Sequence, residues 1–413
     1  GRAPAAWHPQ RFAGREKMHE RGWETVTIPG AVSGWRALSQ RFGELPFADL
    51  FEPAIRYARD GFAVSPVIAE KWALAVPHMP KDLGWFEHFM PRGRPPAPGE
   101  TWSSAALAAT LEKIATTDGE AFYRGELAEK MVAHSQSANG AHALADFAGH
   151  TCEWVTPLGL DYRGVTVHEI PPNGQGISAL MALGILENFD LARMGHNSPD
   201  YIAIVSEAMK IATLEKDTRM GDPRFVDIPM QELMSKDWAA RMADRIRRGE
   251  KTHVPRLNEG AKESRNTTHI CVADDRGACV SLTHSLGSSS GVVTDGLGFM
   301  YNNCMMVFDP RPGRPGSLAP GKARFSAMSP TIVFRGDAPF FVVGSPGGTT
   351  ITMGNLQAIL NAVDFGMTAQ EAVGAPRFCA TSDTIELTNR VLRSTQAALE
   401  ARGYPVMRHP FSY

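Results

Sequence analysis

The spacing of apolar residues changes character once along this chain, near residue 267, and that change limits the folds open to it. Up to about residue 260, apolar side chains recur at three and four residues, as a buried helix face requires. Residues 31 to 62 hold two such patterns, AVSGWRALSQRFG and FADLFEPAIRYARDG, each closed by a glycine where a helix C-terminus favours one. The stretches 104 to 135 and 198 to 219 repeat the signal. One strand stands among them, YRGVTVHEIPP at 162 to 172, which alternates apolar and polar residues and ends in the turn NGQG. After the charged, non-periodic segment 247 to 266, THICVADD, ACVSLTHSL, GFMYNN, SPTIVF and PFFVVGS read as successive strands, followed by helices at about 351 to 365 and 368 to 374. Helices first, then a strand block with helices after it, predict a layered α/β architecture rather than a bundle or barrel.

The 413 residues, 43% hydrophobic, are enough to bury a large core, and length alone suggests two or three domains. Lys and Arg number 42 against 44 Asp and Glu, with the signs interleaved, so nothing points to nucleic acid or an anionic membrane surface. The five cysteines, Cys152, Cys271, Cys279, Cys304 and Cys379, form no metal-ligand spacing and read as free thiols, mostly in the core. No apolar run has the 18 or so residues a membrane span needs. The chain starts at Gly1 without a signal pattern and both ends read as trimmed. Free thiols favour the cytoplasm; a missing upstream segment keeps the periplasm open.

The polar segment stops at Asn266, and Thr267 opens a predicted strand. A threonine hydroxyl is a weak nucleophile, but at a chain terminus its own α-amino group, with a pKa near roughly 7.7 to 8.0, can serve as general base. The same hydroxyl, before that terminus exists, can attack the preceding carbonyl and release it. By itself Thr-Thr-His ahead of a strand is ordinary, because β-branched residues favour strands. SPGGTT at 345 to 350 adds to it: Gly347 and Gly348 lie between a predicted strand and a predicted helix, where bare backbone N–H groups and a helix N-terminus suit a developing oxyanion. The same hexapeptide fits a phosphate-binding turn or a plain tight turn.

NTTHICVADDRGACVSLTHSL resembles the subunit junction of the γ-glutamyltranspeptidase family, and IPGAVSGWRALSQRFGELPFADLFEPAIRYARDGFAVS, AFYRGELAEKM, IPPNGQGISALMALGILENFD, SEAMK with GDPRF, FMYNN, SAMSPTIVF and SPGGTT are similar to family blocks in family order. The resemblance implies an α/β fold of the four-layered αββα N-terminal-nucleophile type. It also implies cleavage between Asn266 and Thr267 into a 1–266 large portion and a 267–413 small portion. The two would stay associated as a heterodimer within one domain, with a homo-oligomer of heterodimers as a further possibility. Thr267 matches the nucleophile, Gly347 and Gly348 the oxyanion pair, and Ser285 a family threonine that hydrogen-bonds the nucleophile. Ser326 matches the first of two serines that hold the substrate α-carboxylate, with Ala327 in place of the second. Arg2 stands near the position of the family's carboxylate-binding arginine.

The sequence departs from the family around the substrate ammonium. After Asn302 and Asn303 the family run Gln-Met-Asp-Asp is replaced by Cys304, Met305, Met306 and Val307, and Gly287 stands about where an asparagine side chain helps. An ammonium desolvated against Val307 lacks a counter-charge. The expectation is an amide hydrolase for a small carboxylate-bearing substrate without an α-amino group, of the oxamate type. The alternatives are a cephalosporin-type acylase, a γ-glutamyltransferase or glutathione hydrolase, and an unprocessed, inactive homologue. No metal or other cofactor is expected. His269 and His284 read as core histidines, Cys304 as a lining residue without nucleophilic activation, and Asp222 with Arg219 as a structural turn and ion pair.

Overall fold

The computed structural model describes residues 1–255 and 267–409, so Asn266 and the end of the linker lie outside the described residues. The chain divides into two compact units. One comprises Gly1–Trp154, Leu286–Pro312 and Ser317–Arg324; the other comprises Val155–Ser285, Gly313–Gly316 and Phe325–Tyr413.

In the first unit the helical patterns form Ala31–Phe42, Glu52–Asp60, Ala105–Thr116, Glu120–Arg124 and Glu126–Ser137. Their apolar faces close over Trp23, Phe122, Met131, Phe147 and Tyr301. Ser104 caps its helix by accepting the Leu107 N–H. Gly61 follows Glu52–Asp60 at φ +89°, the left-handed conformation glycine tolerates. Gly43 does not: at φ −73° its requirement is space, since a Cβ there would lie 2.5 Å from the Ser39 carbonyl oxygen.

GFMYNN is not a strand. Met300 makes a single bridge to Val293, and Cys304–Val307 is a 3-10 turn. The segment's asparagine side chains instead take backbone donors, one of them 275 positions away in sequence. Asn302 Oδ1 accepts from the N–H groups of Thr27 and Cys304, and Asn303 Oδ1 accepts from Ser288 N–H. Those donors are withdrawn from any ladder.

In the second unit YRGVTVHEIPP is not one strand but the turn and second arm of a hairpin, β1 (Leu158–Tyr162) and β2 (Val165–Glu169). Arg163 and Gly164 both have positive φ, which matches the twist of a two-residue hairpin turn. Then follow α1 (Gly176–Leu186), α2 (Pro199–Arg219), the hairpin β3 (Thr268–Ala273) with β4 (Cys279–His284), β5 (Thr331–Arg335), β6 (Ala338–Val343) and α3 (Ile351–Val363). An antiparallel sheet runs β1-β2-β5-β6, and β3 pairs only with β4 among the described strands. Every residue of α1 is buried, as an all-apolar helix demands, and with α2 and α3 it packs on Val165, Val167 and Val333 of the sheet.

Two smaller expectations are corrected. Among the five unbridged cysteines only Cys304 is buried, while Cys271 is exposed on β3, so the thiols are not mostly core. Asp222 pairs with Arg224, whereas Arg219 pairs with Glu215 and Glu232. No described helix is long and apolar enough to cross a membrane.

Candidate active site

The β3–β4 hairpin ends at the rung Thr268↔His284, and one residue beyond it Thr267 Oγ1 meets Ser285 Oγ at 2.9 Å. Side chains alternate across a strand, so Thr267, His269 and Cys271 share a face with Ser285, Thr283 and Ser281. That polar face is laid on β6 and its exit. Cys271 Sγ approaches the Val342 carbonyl oxygen at 3.7 Å and Ser281 Oγ the Val343 oxygen at 3.3 Å. The His269 ring occupies the space a Cβ on Gly344 would need, 2.1 Å from the ring. As β3 is followed back from 271 to 269, its neighbour moves forward from 342 to 344.

The opposite face of the hairpin carries Ile270, Val272 and Val280, all exposed. The Asp274 carboxylate shapes its turn by accepting from the N–H groups of Arg276 and Ala278, with Gly277 left-handed at φ +86°.

Gly347 and Gly348 both have positive φ, +138° and +61°. Thr350 closes the turn by donating both its N–H and its hydroxyl to the Gly347 carbonyl oxygen, at 3.2 and 2.9 Å. Among the described residues no hydrogen bond takes up the N–H of either glycine. These donors stand where α3 and its short 3-10 lead begin, so the helix dipole adds partial positive charge.

Ser326 is fixed to the NGQG turn: it receives the Gln175 N–H on its carbonyl at 2.9 Å and gives its own N–H to Asn173 at 2.8 Å. Gln175, read in the sequence only as part of a turn, is the residue sequence reasoning missed. It is fully buried, and its Nε2 donates to the carbonyl oxygens of Ala327 and of Gly348, the latter at 2.9 Å. One amide thus ties the Ser326 segment to the glycine turn. On the far side Ser345 Oγ donates to Asn355 Oδ1 at 3.2 Å, and Asn355 Nδ2 donates to the Ser329 carbonyl at 2.6 Å. A glutamine beside glycine at a helix start was the available signal. Burial holds the imidazoles of His269 and His284 below their ordinary pKa, so both are neutral at pH 7.

The remaining sequence-selected residues lie in the first unit. The Arg2 guanidinium pairs with Glu153. Asn303 is buried and gives Nδ2 to the Glu20 carbonyl at 2.9 Å; its Oδ1 also lies 2.3 Å from where a Cβ on Gly287 would stand. Cys304 is buried and Val307 half-buried in the 3-10 turn. Among the described residues no group of His, Cys, Asp and Glu is placed to hold a metal ion.

The Gamma-glutamyltranspeptidase family profile matches residues 1–413. The chain is 35% identical over 400 residues to the acylase ACY 1 proenzyme of Pseudomonas sp. (strain V22), covering 96% of this chain and 71% of that protein. It is 33% identical over 397 residues to the glutathione hydrolase proenzyme of Escherichia coli (strain K12), covering 92% of this chain and 68% of that one. The solved cephalosporin acylase of Bacillus halodurans superposes with a TM-score of 0.90 at 32% identity, covering 99% of this chain and 77% of the other.

Proposed function

Because the chain belongs to the γ-glutamyltranspeptidase family, with its N-terminal-nucleophile fold and its hydrolysis of amide bonds, we propose that Thr267 is freed by self-cleavage after Asn266 and then hydrolyses an amide whose acyl half bears a carboxylate and no α-ammonium. The observation that carries this reading is the 2.9 Å contact between the Thr267 and Ser285 hydroxyls on the hairpin face turned to β6.

In this mechanism the new α-amino group accepts the Thr267 hydroxyl proton as Oγ attacks the amide carbonyl. Ser285 holds the hydroxyl in place and accompanies its change in charge. The N–H groups of Gly347 and Gly348 receive the oxyanion, the amine leaves carrying the proton, and water then hydrolyses the acyl-enzyme by the same route. Ser326 provides a hydroxyl for the substrate carboxylate, and Arg2 is the candidate counter-charge once exchanged from Glu153. By the resemblance, Asn303, Cys304 and Val307 fall at the positions of the family's ammonium contacts, and Cys304 and Val307 bring no carboxylate to them.

The relatives' names support acylase and glutathione hydrolase activities rather than oxamate, which serves as the smallest member of a test series. A denaturing gel should show fragments 1–266 and 267–413, and Thr267→Ala should leave the chain whole. Oxamate, glutaryl-p-nitroanilide and γ-glutamyl-p-nitroanilide should then be compared for amine release. Faster turnover of the γ-glutamyl compound than of the other two would overturn the substrate assignment; an uncut wild-type chain would overturn the whole reading in favour of an inactive homologue.

A further inference from the structure

Glu169 ends β2 as a fully buried carboxyl group. Its Oε1 accepts from the hydroxyls of Ser329, at 2.7 Å, and Thr331. Thr331 receives the Asn355 amide at 3.4 Å, and Asn355 holds Ser345 at the entrance to the glycine turn. Its Oε2 faces the start of α1: a Cβ on Gly176 would lie 2.2 Å away. That oxygen has no hydrogen-bond partner among the described residues, and neither does Oε1 of Gln175, the residue that immediately precedes α1. Both atoms are acceptors when Glu169 is ionised, so two buried lone-pair sites at the head of one helix are left uncompensated, a costly arrangement. A proton on Glu169 turns one of these two acceptors into a donor.

We propose that Glu169 is a positioning residue whose carboxylic acid donates a hydrogen bond from Oε2 to Oε1 of Gln175, fixing the amide that grips Gly348 and Ala327. With Oε1 bound to the Thr331 and Asn355 chain, Glu169 then joins the two supports of the oxyanion turn, one through Gln175 to Gly348 and one through Asn355 to Ser345. The groups acting on its titration are burial, which raises its pKa to about 8, and the hydroxyls of Thr331 and Ser329, which oppose that rise; none is charged. The proposal rests on the reading of Gly347 and Gly348 as the oxyanion site, and makes the turn's geometry dependent on a neutral acid.

The test uses the full chain, Glu169→Gln and Glu169→Leu. Glutamine keeps an acceptor for Ser329 and Thr331 and a permanent donor for Gln175; leucine keeps neither. An infrared difference spectrum between wild type and Glu169→Gln at neutral pH should contain the carbonyl stretch of a protonated carboxylic acid, which vanishes as the pH is raised. With glutaryl-p-nitroanilide, Glu169→Gln should retain wild-type kcat within about twofold near neutrality. At about one pH unit above the Glu169 pKa, wild type should have lost roughly tenfold and Glu169→Gln should not. Absence of the acid band, or an alkaline limb unchanged in Glu169→Gln, overturns the proposal. Failure of the chain to cleave itself speaks against Thr267 instead, and the infrared result still decides the protonation of Glu169.

Discussion

Thr267 and Ser285 face each other, hydroxyl to hydroxyl at 2.9 Å, one residue past the last rung of the hairpin that presents them. A serine here retains the contact of a longer-branched threonine because the register, rather than the methyl group, sets the distance. Replacing Ser285 with alanine removes one neutral hydrogen bond, a change of about 1 kcal/mol, so kcat should fall roughly fivefold with KM little altered. Ser285→Thr should restore it. Steady-state kinetics on the processed protein decides; equal rates for Ser285→Ala and wild type would remove Ser285 from the mechanism.

Gly347 is the more sensitive of the glycine pair. A Cβ there would lie 2.6 Å from Thr350 Oγ1, and φ of +138° strains any L side chain. Gly347→Ala should therefore displace the turn and lower kcat by about a hundredfold, the scale of one lost oxyanion donor. Far-UV circular dichroism should be unchanged, separating this from unfolding.

Asn302 supports the loop that replaced the expected GFMYNN strand. Its side chain accepts from the Thr27 hydroxyl and from the N–H groups of Thr27 and Cys304, and donates to the Thr27 carbonyl at 3.1 Å. Asn302→Ala leaves these buried groups unpaired, and denaturant unfolding should register a loss of about 2 to 4 kcal/mol. A loss below about 0.5 kcal/mol would mean the loop holds without it.

Glu169 should also make stability depend on pH. Its folded pKa, about 8, is raised above the ordinary 4.5, so between these values the folded chain keeps a proton the unfolded chain releases. The stabilisation is fully present below 4.5 and is lost as pH rises through 8. Thermal unfolding followed across that window should show wild type losing several kcal/mol relative to Glu169→Gln. Parallel curves for the two proteins would contradict this.

By the family resemblance, Val307 replaces the carboxylate proposed to meet a substrate ammonium. Val307→Asp should raise turnover of γ-glutamyl-p-nitroanilide relative to glutaryl-p-nitroanilide by about tenfold, the worth of one partly desolvated charge pair. No change in that ratio would mean specificity is set elsewhere.

Local pattern and family resemblance made much of this protein legible before any coordinates. The helices at 31 to 62 and 199 to 219, the β3–β4 hairpin and the glycine turn all follow from period, caps and turn residues, interactions that close within a few positions of the chain. The nucleophile candidate came from the family resemblance, since a strand opening at Thr267 after a polar segment is ordinary by itself. GFMYNN failed as a strand because Asn302 reaches Thr27, 275 positions away, for its partners. The two-residue turn at Arg163 and Gly164 was hidden inside an apparently continuous alternation.

What only the tertiary structure decided is which polar groups share a buried space. Nothing within NGQG says that Gln175 will hold the carbonyl of Gly348, 173 positions away. Glu169 likewise reads as one polar residue in an alternating strand until burial takes its solvent away. A glycine pair and a glutamine at a helix start are local facts; packing helices and sheet into one core is what brings the Gln175 amide to the Gly348 carbonyl and takes water from Glu169.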